Sequence, residues 1–200
     1  MTVPEPAPPI DRRRLRAEQG RERVVGALLE FFDEGESQPG AARIAERAGV
    51  SERSVFRYFD DLDALAAEAV ERQIERMRHV YAAPDSSGPL AVRVDALVDA
   101  RLRLHDAVAV ASAAGRRIEA RAEAIARAFA FRRRLLRRQV ADQFAPELAA
   151  LDAPTRAEML DALDAAASFD HIDQLLAVAG HSRTRVRAIT RRTLLALLAS

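Results

Sequence analysis

Two arginines four residues apart, Arg53 and Arg57, stand in the run SERSVFRYF at 51–59, and that spacing puts both guanidinium groups on one side of a helix. A guanidinium can donate two hydrogen bonds to O6 and N7 of guanine in the major groove, or it can hold a phosphate. At about 100° per residue, Val55 and Phe59 share the opposite side. That side suits a core, so the arginines point outward, flanked by Ser54 and Phe56. Arginine pairs are common on any solvated helix face, so the reading depends on the elements that position them.

Those elements read as a helix-turn-helix spanning residues 40–59, GAARIAERAGVSERSVFRYF. Ala41 to Ala48 forms a short helix whose Ile44, Ala45 and Ala48 make a small apolar side, with Arg43, Glu46 and Arg47 elsewhere. Gly49 stands where the chain must reverse through a left-handed backbone, which costs a residue with a Cβ roughly 1 kcal/mol or more. Val50 returns to the core. Ser51 can cap the next helix by accepting a bond from an orphan amide, worth about 1 kcal/mol. The second helix then starts at Glu52. Such a unit lays its second helix in the major groove of duplex DNA, with Arg53 and Arg57, flanked by Ser54 and Phe56, as the candidates for contact and Arg43 of the first helix as a further one.

The blocks RERVVGALLEFF at 21–32, IAERAGVS at 44–51, VFRYF at 55–59 and DLDAL at 61–65 resemble, in order and spacing, the N-terminal domain of the tetracycline-repressor-like (TetR) transcriptional regulators. The resemblance implies an all-α homodimer with a three-helix DNA-binding domain and a larger C-terminal domain for a small-molecule effector and for dimerisation. It also implies DNA-surface roles for Ser51, Ser54, Phe56, Arg57 and Tyr58, with Val55 and Phe59 in the core. Three positions depart from the family pattern. Gly40 replaces the usual threonine, Phe56 the usual tyrosine, and Leu62 the lysine that commonly opens the fourth helix. Each loses a polar contact to the DNA backbone, so the fold is less affected than the affinity.

Composition bounds the rest. The chain has 200 residues, 49% hydrophobic, no cysteine, and a net charge of only +1, which excludes disulfides, cysteine-ligated metals and a general polycation. All its basic side chains apart from histidine are arginine, which points to genome composition as much as to ligand chemistry. No run approaches the roughly 18 apolar residues of a membrane span, and the N-terminus lacks the apolar stretch of a signal peptide, so the expected location is the cytoplasm. Residues 1–14 read as a disordered basic arm, proline-rich and then carrying Arg12, Arg13 and Arg14, followed by Arg16. The arm can lie along phosphates or enter the minor groove, or it can simply be a solvated charge run.

The expected domains are 15–60 for DNA binding and 61–200 for effector binding and dimerisation. Helical periodicity predicts helices over about 15–34, 61–81, 90–114, 116–144, 155–179 and 182–199, with a loop at 83–89 and no convincing strand. The last two helices look like the family's dimerisation module, through Leu160, Leu163, Ala167 and Leu175 on one and Val186, Ile189, Thr193 and Leu197 on the other. An intramolecular core would use the same residues. The effector pocket is implied by the resemblance alone. Arg101, His105, Phe129, Met159, Phe169 and His171 are its candidate lining, of the mixed character that small-molecule sites show.

The run FRRRLLRR at 131–138 could bind a nucleic-acid segment or an anionic effector, or be the solvated side of a helix that buries Leu135 and Leu136. The four histidines, His79, His105, His171 and His181, lack metal-ligand spacing, and neither a phosphate-binding glycine loop nor a nucleophile elbow is present. No catalysis, metal or cofactor is expected. These readings describe a dimeric transcription regulator, a repressor modulated by a small molecule, with a palindromic operator in double-stranded DNA as its partner. A ligand-binding or protein-interaction dimer with weakened DNA binding is the alternative.

Overall fold

The computed structural model describes residues 12–120 and 122–199, with the side chains of Arg12, Arg13, Arg14 and Ala124 left out. The proline-rich segment 1–11 and the three arginine side chains expected to touch DNA therefore lie outside the described residues. Among the described residues the fold is all-α. Its helices are α1 (Arg12–Asp33), α2 (Ala41–Ala48), α3 (Glu52–Tyr58), α4 (Leu62–Arg76), α5 (Leu90–Ile118), α6 (Glu123–Gln143), α7 (Ala145–Ala149), α8 (Ala153–Ala166), α9 (Phe169–Asp173) and α10 (Arg183–Leu198). A 3₁₀ turn, Arg78–Tyr81, follows α4, and a π turn, Gln174–Val178, follows α9. None of these helices is long and apolar enough to cross a membrane.

Local chemistry sets the boundaries. Side-chain oxygens of Ser51, Asp61, Asp152, Ser168 and Ser182 each accept a backbone N–H three residues on, supplying partners that the first turn of a helix lacks. Gly49 ends α2 at φ 64°, in the left-handed region that glycine enters without a Cβ clash.

Two expected helices differ. The long helix over 155–179 is broken, because the Ser168 hydroxyl accepts the His171 N–H at 3.1 Å and starts α9, turning Phe169 into the core. The helix expected to begin near 15 begins at Arg12, so Arg12, Arg13 and Arg14 belong to its first turn rather than to an arm.

One apolar core joins Val24, Leu28 and Phe31 of α1, Ile44 of α2, Val55 of α3 and Leu65, Ala69 and Val70 of α4 to Ala111, Ala114 and Ile118 of α5 and Ile125 and Phe129 of α6. The boundary expected at 60/61 thus crosses a continuous core. A second cluster packs the N-terminal half of α5 and the end of α6 against α7, α8 and α10. Along its edge, Arg187 and Arg191 of α10 pair with Asp95 and Asp99 of α5, and Arg183 pairs with Asp106.

Candidate nucleic-acid interface

The short α3 is held by what it buries. Val55 is inaccessible to solvent and Phe59 nearly so, while Arg53, Phe56 and Arg57 face outward. Arg53 has no hydrogen bond, ion pair or ring contact with the described residues, which leaves its guanidinium available. The Arg57 Nη2 donates to the Tyr58 hydroxyl at 3.0 Å. Phe56, 49% exposed, offers a flat apolar ring beside the two cations.

Ser54, expected beside the arginines, is instead buried. Its hydroxyl lies 2.9 Å from that of Ser51, and its amide donates to the same cap, so it closes the turn rather than facing a groove. Tyr58 is half-buried along α1, and its phenol is engaged by Arg57. Arg43 is exposed but ion-paired with Glu36, and its guanidinium lies 4.8 Å from the Phe31 ring centre. Arg47 stacks more closely, at 3.6 Å, and pairs with Glu34 at 2.8 Å. The positive charge of α2 is therefore partly neutralised from within.

Two positioning residues escaped the sequence reading. Arg21 of α1 donates to the Tyr58 backbone carbonyl at 2.6 Å, pairs with Glu68 of α4 and lies 4.1 Å from the centre of the Phe59 ring. It places a cation at the C-terminal end of α3, where the helix dipole is negative, and ties that end to two other helices. Gly20 lets the Tyr58 ring lie against α1, since a Cβ there would approach Cζ of that ring to 2.6 Å. A glycine inside a helical run, unfavourable by about 1 kcal/mol against alanine, was the available signal. Behind them Arg72 of α4 binds Glu22 and Glu68 together. The Arg72 hydrogen bond holds the Glu22 carboxyl below its ordinary range.

The expected effector residues do not converge. A cavity of about 390 Å³ opens between the end of α4, the 3₁₀ turn and α6, lined by Ile74, Glu75, Tyr81, Phe129, Arg132 and Leu135 among others, and of the six candidates only Phe129 reaches it. Arg101 is buried elsewhere, donating to Gln139 Oε1 at 2.7 Å and to the Leu136 carbonyl at 2.9 Å, and burial pushes its guanidinium down to about 10. His105 Nε2 lies 2.9 Å from Asp173 Oδ1, with its ring stacked 5.2 Å from that of Phe169. Met159 packs at the edge of the second core cluster, and His171 stands half-buried on α9. Arg132, not separated from its neighbours in the arginine run, lies three residues after Phe129 and four before Leu136, the spacing of a shared buried face.

Among the residues expected between subunits, Leu163, Ala167 and Val186 are buried inside the chain, so they form its own core rather than a free surface. Leu160, Leu175, Ile189, Thr193 and Leu197 are half-buried.

A short helix whose apolar side is locked into a three-helix core, and whose outer side carries arginine beside an aromatic ring, defines a helix-turn-helix DNA-binding protein. Residues 25–69 match the family model of the bacterial regulatory proteins of the tetR family. Similar solved structures agree in fold. A transcriptional regulator from Rhodococcus sp. Rha1 is 18% identical with a TM-score of 0.63, covering 90% of this chain and 96% of its own. A tetR-family regulator from Streptomyces coelicolor is 19% identical, also at 0.63, over 90% of this chain and 82% of its own. A regulator from Pseudomonas aeruginosa PAO1 is 23% identical with a TM-score of 0.58, over 96% of both chains. No curated protein matches the sequence.

Proposed function

We propose that the protein is a homodimeric repressor that binds a palindromic operator and is released by a small molecule entering the cavity beside α4. The observation that carries this reading is the double duty of α4. Its Leu65, Ala69 and Val70 share one core with α1, α2 and α3, while its Ile74 and Glu75 line the cavity. A ligand that wedges the C-terminal end of α4 from α6 therefore tilts the platform on which α3 stands.

A two-fold dimer reads half-sites about one helical turn apart, roughly 34 to 36 Å, so a small tilt changes whether both α3 helices reach their grooves. The ligand acts only through a difference in affinity for the two arrangements. The half-buried Leu160, Leu175, Ile189, Thr193 and Leu197 are the surface proposed for the partner subunit. Binding, not catalysis, is the activity.

A gel-shift titration across the gene's own upstream region tests the reading. A saturable complex with two protein chains per site, competed by specific and not by scrambled duplex, is the expected result. No sequence-dependent complex at low salt refutes it. That outcome favours a ligand-binding dimer with weakened DNA binding, consistent with the internal pairing of Arg43 by Glu36 and of Tyr58 by Arg57.

A further inference from the structure

Of the five arginines in the run 131–138, Arg132 alone is turned into the molecule, at 7% exposure. Its Nη1 donates to Ser112 Oγ at 2.8 Å, and its guanidinium lies 4.6 Å from the Phe129 ring centre and 4.4 Å from that of Phe169. The Tyr81 phenol is a further neighbour, and Asp170 acts only from a distance. Arg133, Arg137 and Arg138 pair with carboxylates, but no carboxylate among the described residues lies within ion-pair distance of Arg132. Two ring faces and a hydroxyl offset only part of the hydration that a buried cation loses.

This guanidinium forms part of the cavity wall. Most of the remaining wall is apolar, from Ile74, Ala128, Phe129 and Leu135 to Phe131, which is 61% exposed. Glu75 and Arg78 also line the cavity but are paired with each other, so their charges cancel. The cavity thus combines one uncompensated positive charge with an apolar channel.

We propose that the effector is an amphipathic carboxylate, its anionic head against Arg132 and Tyr81 and its apolar body along Ile74, Phe129 and Leu135 toward Phe131. The proposal rests on the reading of this cavity as the effector site. The head completes the ion pair that the chain leaves open, and the body replaces water along the apolar wall. A neutral ligand of the same shape leaves the cation unpaired, and a cationic one meets repulsion.

The test is calorimetric titration of the full chain with octanoate, octanamide and octylammonium, together with release of bound operator DNA by each. Octanoate is expected to bind at least tenfold more tightly than octanamide, and octylammonium not at all. In Arg132→Gln the preference of octanoate over octanamide should vanish. Arg132→Lys, which keeps the charge, should retain it, and thermal melts of both variants separate lost recognition from lost folding. Ala128→Trp, which fills the cavity, should abolish binding of octanoate. Equal affinity for octanoate and octanamide, or a preference that survives in Arg132→Gln, overturns the proposal. If octanamide or octylammonium releases the operator as well as octanoate does, the cavity stands as the effector site and its charge preference falls. If none of the three binds, both readings fall.

Discussion

Arg53 and Arg57 differ in one respect that their spacing does not reveal, because Arg53 is unengaged whereas Arg57 already holds the Tyr58 hydroxyl at 3.0 Å. Arg53→Ala should therefore cost about 1 to 3 kcal/mol at the operator, the worth of one bidentate guanine contact, and Arg57→Ala less. Fluorescence anisotropy with operator and scrambled duplexes checks this, and an equal loss on both duplexes assigns Arg53 to phosphate. The outward side of α3 was legible because Val55 and Phe59 fix the helical phase locally. Ser54 was misplaced because its geometric phase is intermediate and its hydroxyl is captured by Ser51, three residues back. Arg21 and Gly20 were invisible for another reason: their partners lie 37 and 38 positions away along the chain, at Tyr58.

At the scale of elements, α6 packs closely against α5 at Gly115, where a Cβ would stand 2.7 Å from Phe129 Cζ and 3.4 Å from Ile125 Cγ2. Gly115→Ala gains about 1 kcal/mol of helix propensity but forces the edge of the Phe129 ring from its packed position toward the cavity it lines, an overpacking cost of about 1 to 3 kcal/mol. A net loss of up to about 2 kcal/mol is expected by urea unfolding.

The junction of α5 with α7 makes a different prediction. The Arg93 hydrogen bond holds the Glu147 carboxyl below its ordinary range, and Arg93 also donates to the Gln143 carbonyl at 2.6 Å. A depressed folded-state pKa contributes stability above the unfolded value, near 4.3, and that contribution is lost as pH falls through the folded value. Glu147→Gln should remove this component, so the stability–pH curve of the variant flattens below about pH 4.5 relative to the parent. The helices themselves were readable from apolar periodicity and caps. The break at Ser168 was not, since Leu163, Ala167 and Leu175 continue a plausible stripe across it and only the serine's capping chemistry marks the interruption.

For the whole molecule, charge placement outweighs the net +1. Substituting Arg12, Arg13 and Arg14 together by alanine should lower the slope of log affinity against log salt by about 0.9 for each phosphate they neutralise. An unchanged slope assigns all three to solvent. Their expected role is read from sequence alone, whereas the cavity required the tertiary arrangement, because residue type cannot tell a pocket wall from the buried polar contacts of Arg101 with Gln139 and of His105 with Asp173.

The core that α4 shares with α1 to α3 and with α5 and α6 also limits how its recognition specificity can be transplanted. Exchanging residues 12–60 with those of another regulator would sever Val24, Leu28 and Val55 from the Leu65, Ala69, Ala111 and Ile118 surfaces shaped to receive them. A working chimera has to carry α4 through Arg76 and match the last two turns of α5, so the exchangeable cassette is larger than the reading head it delivers.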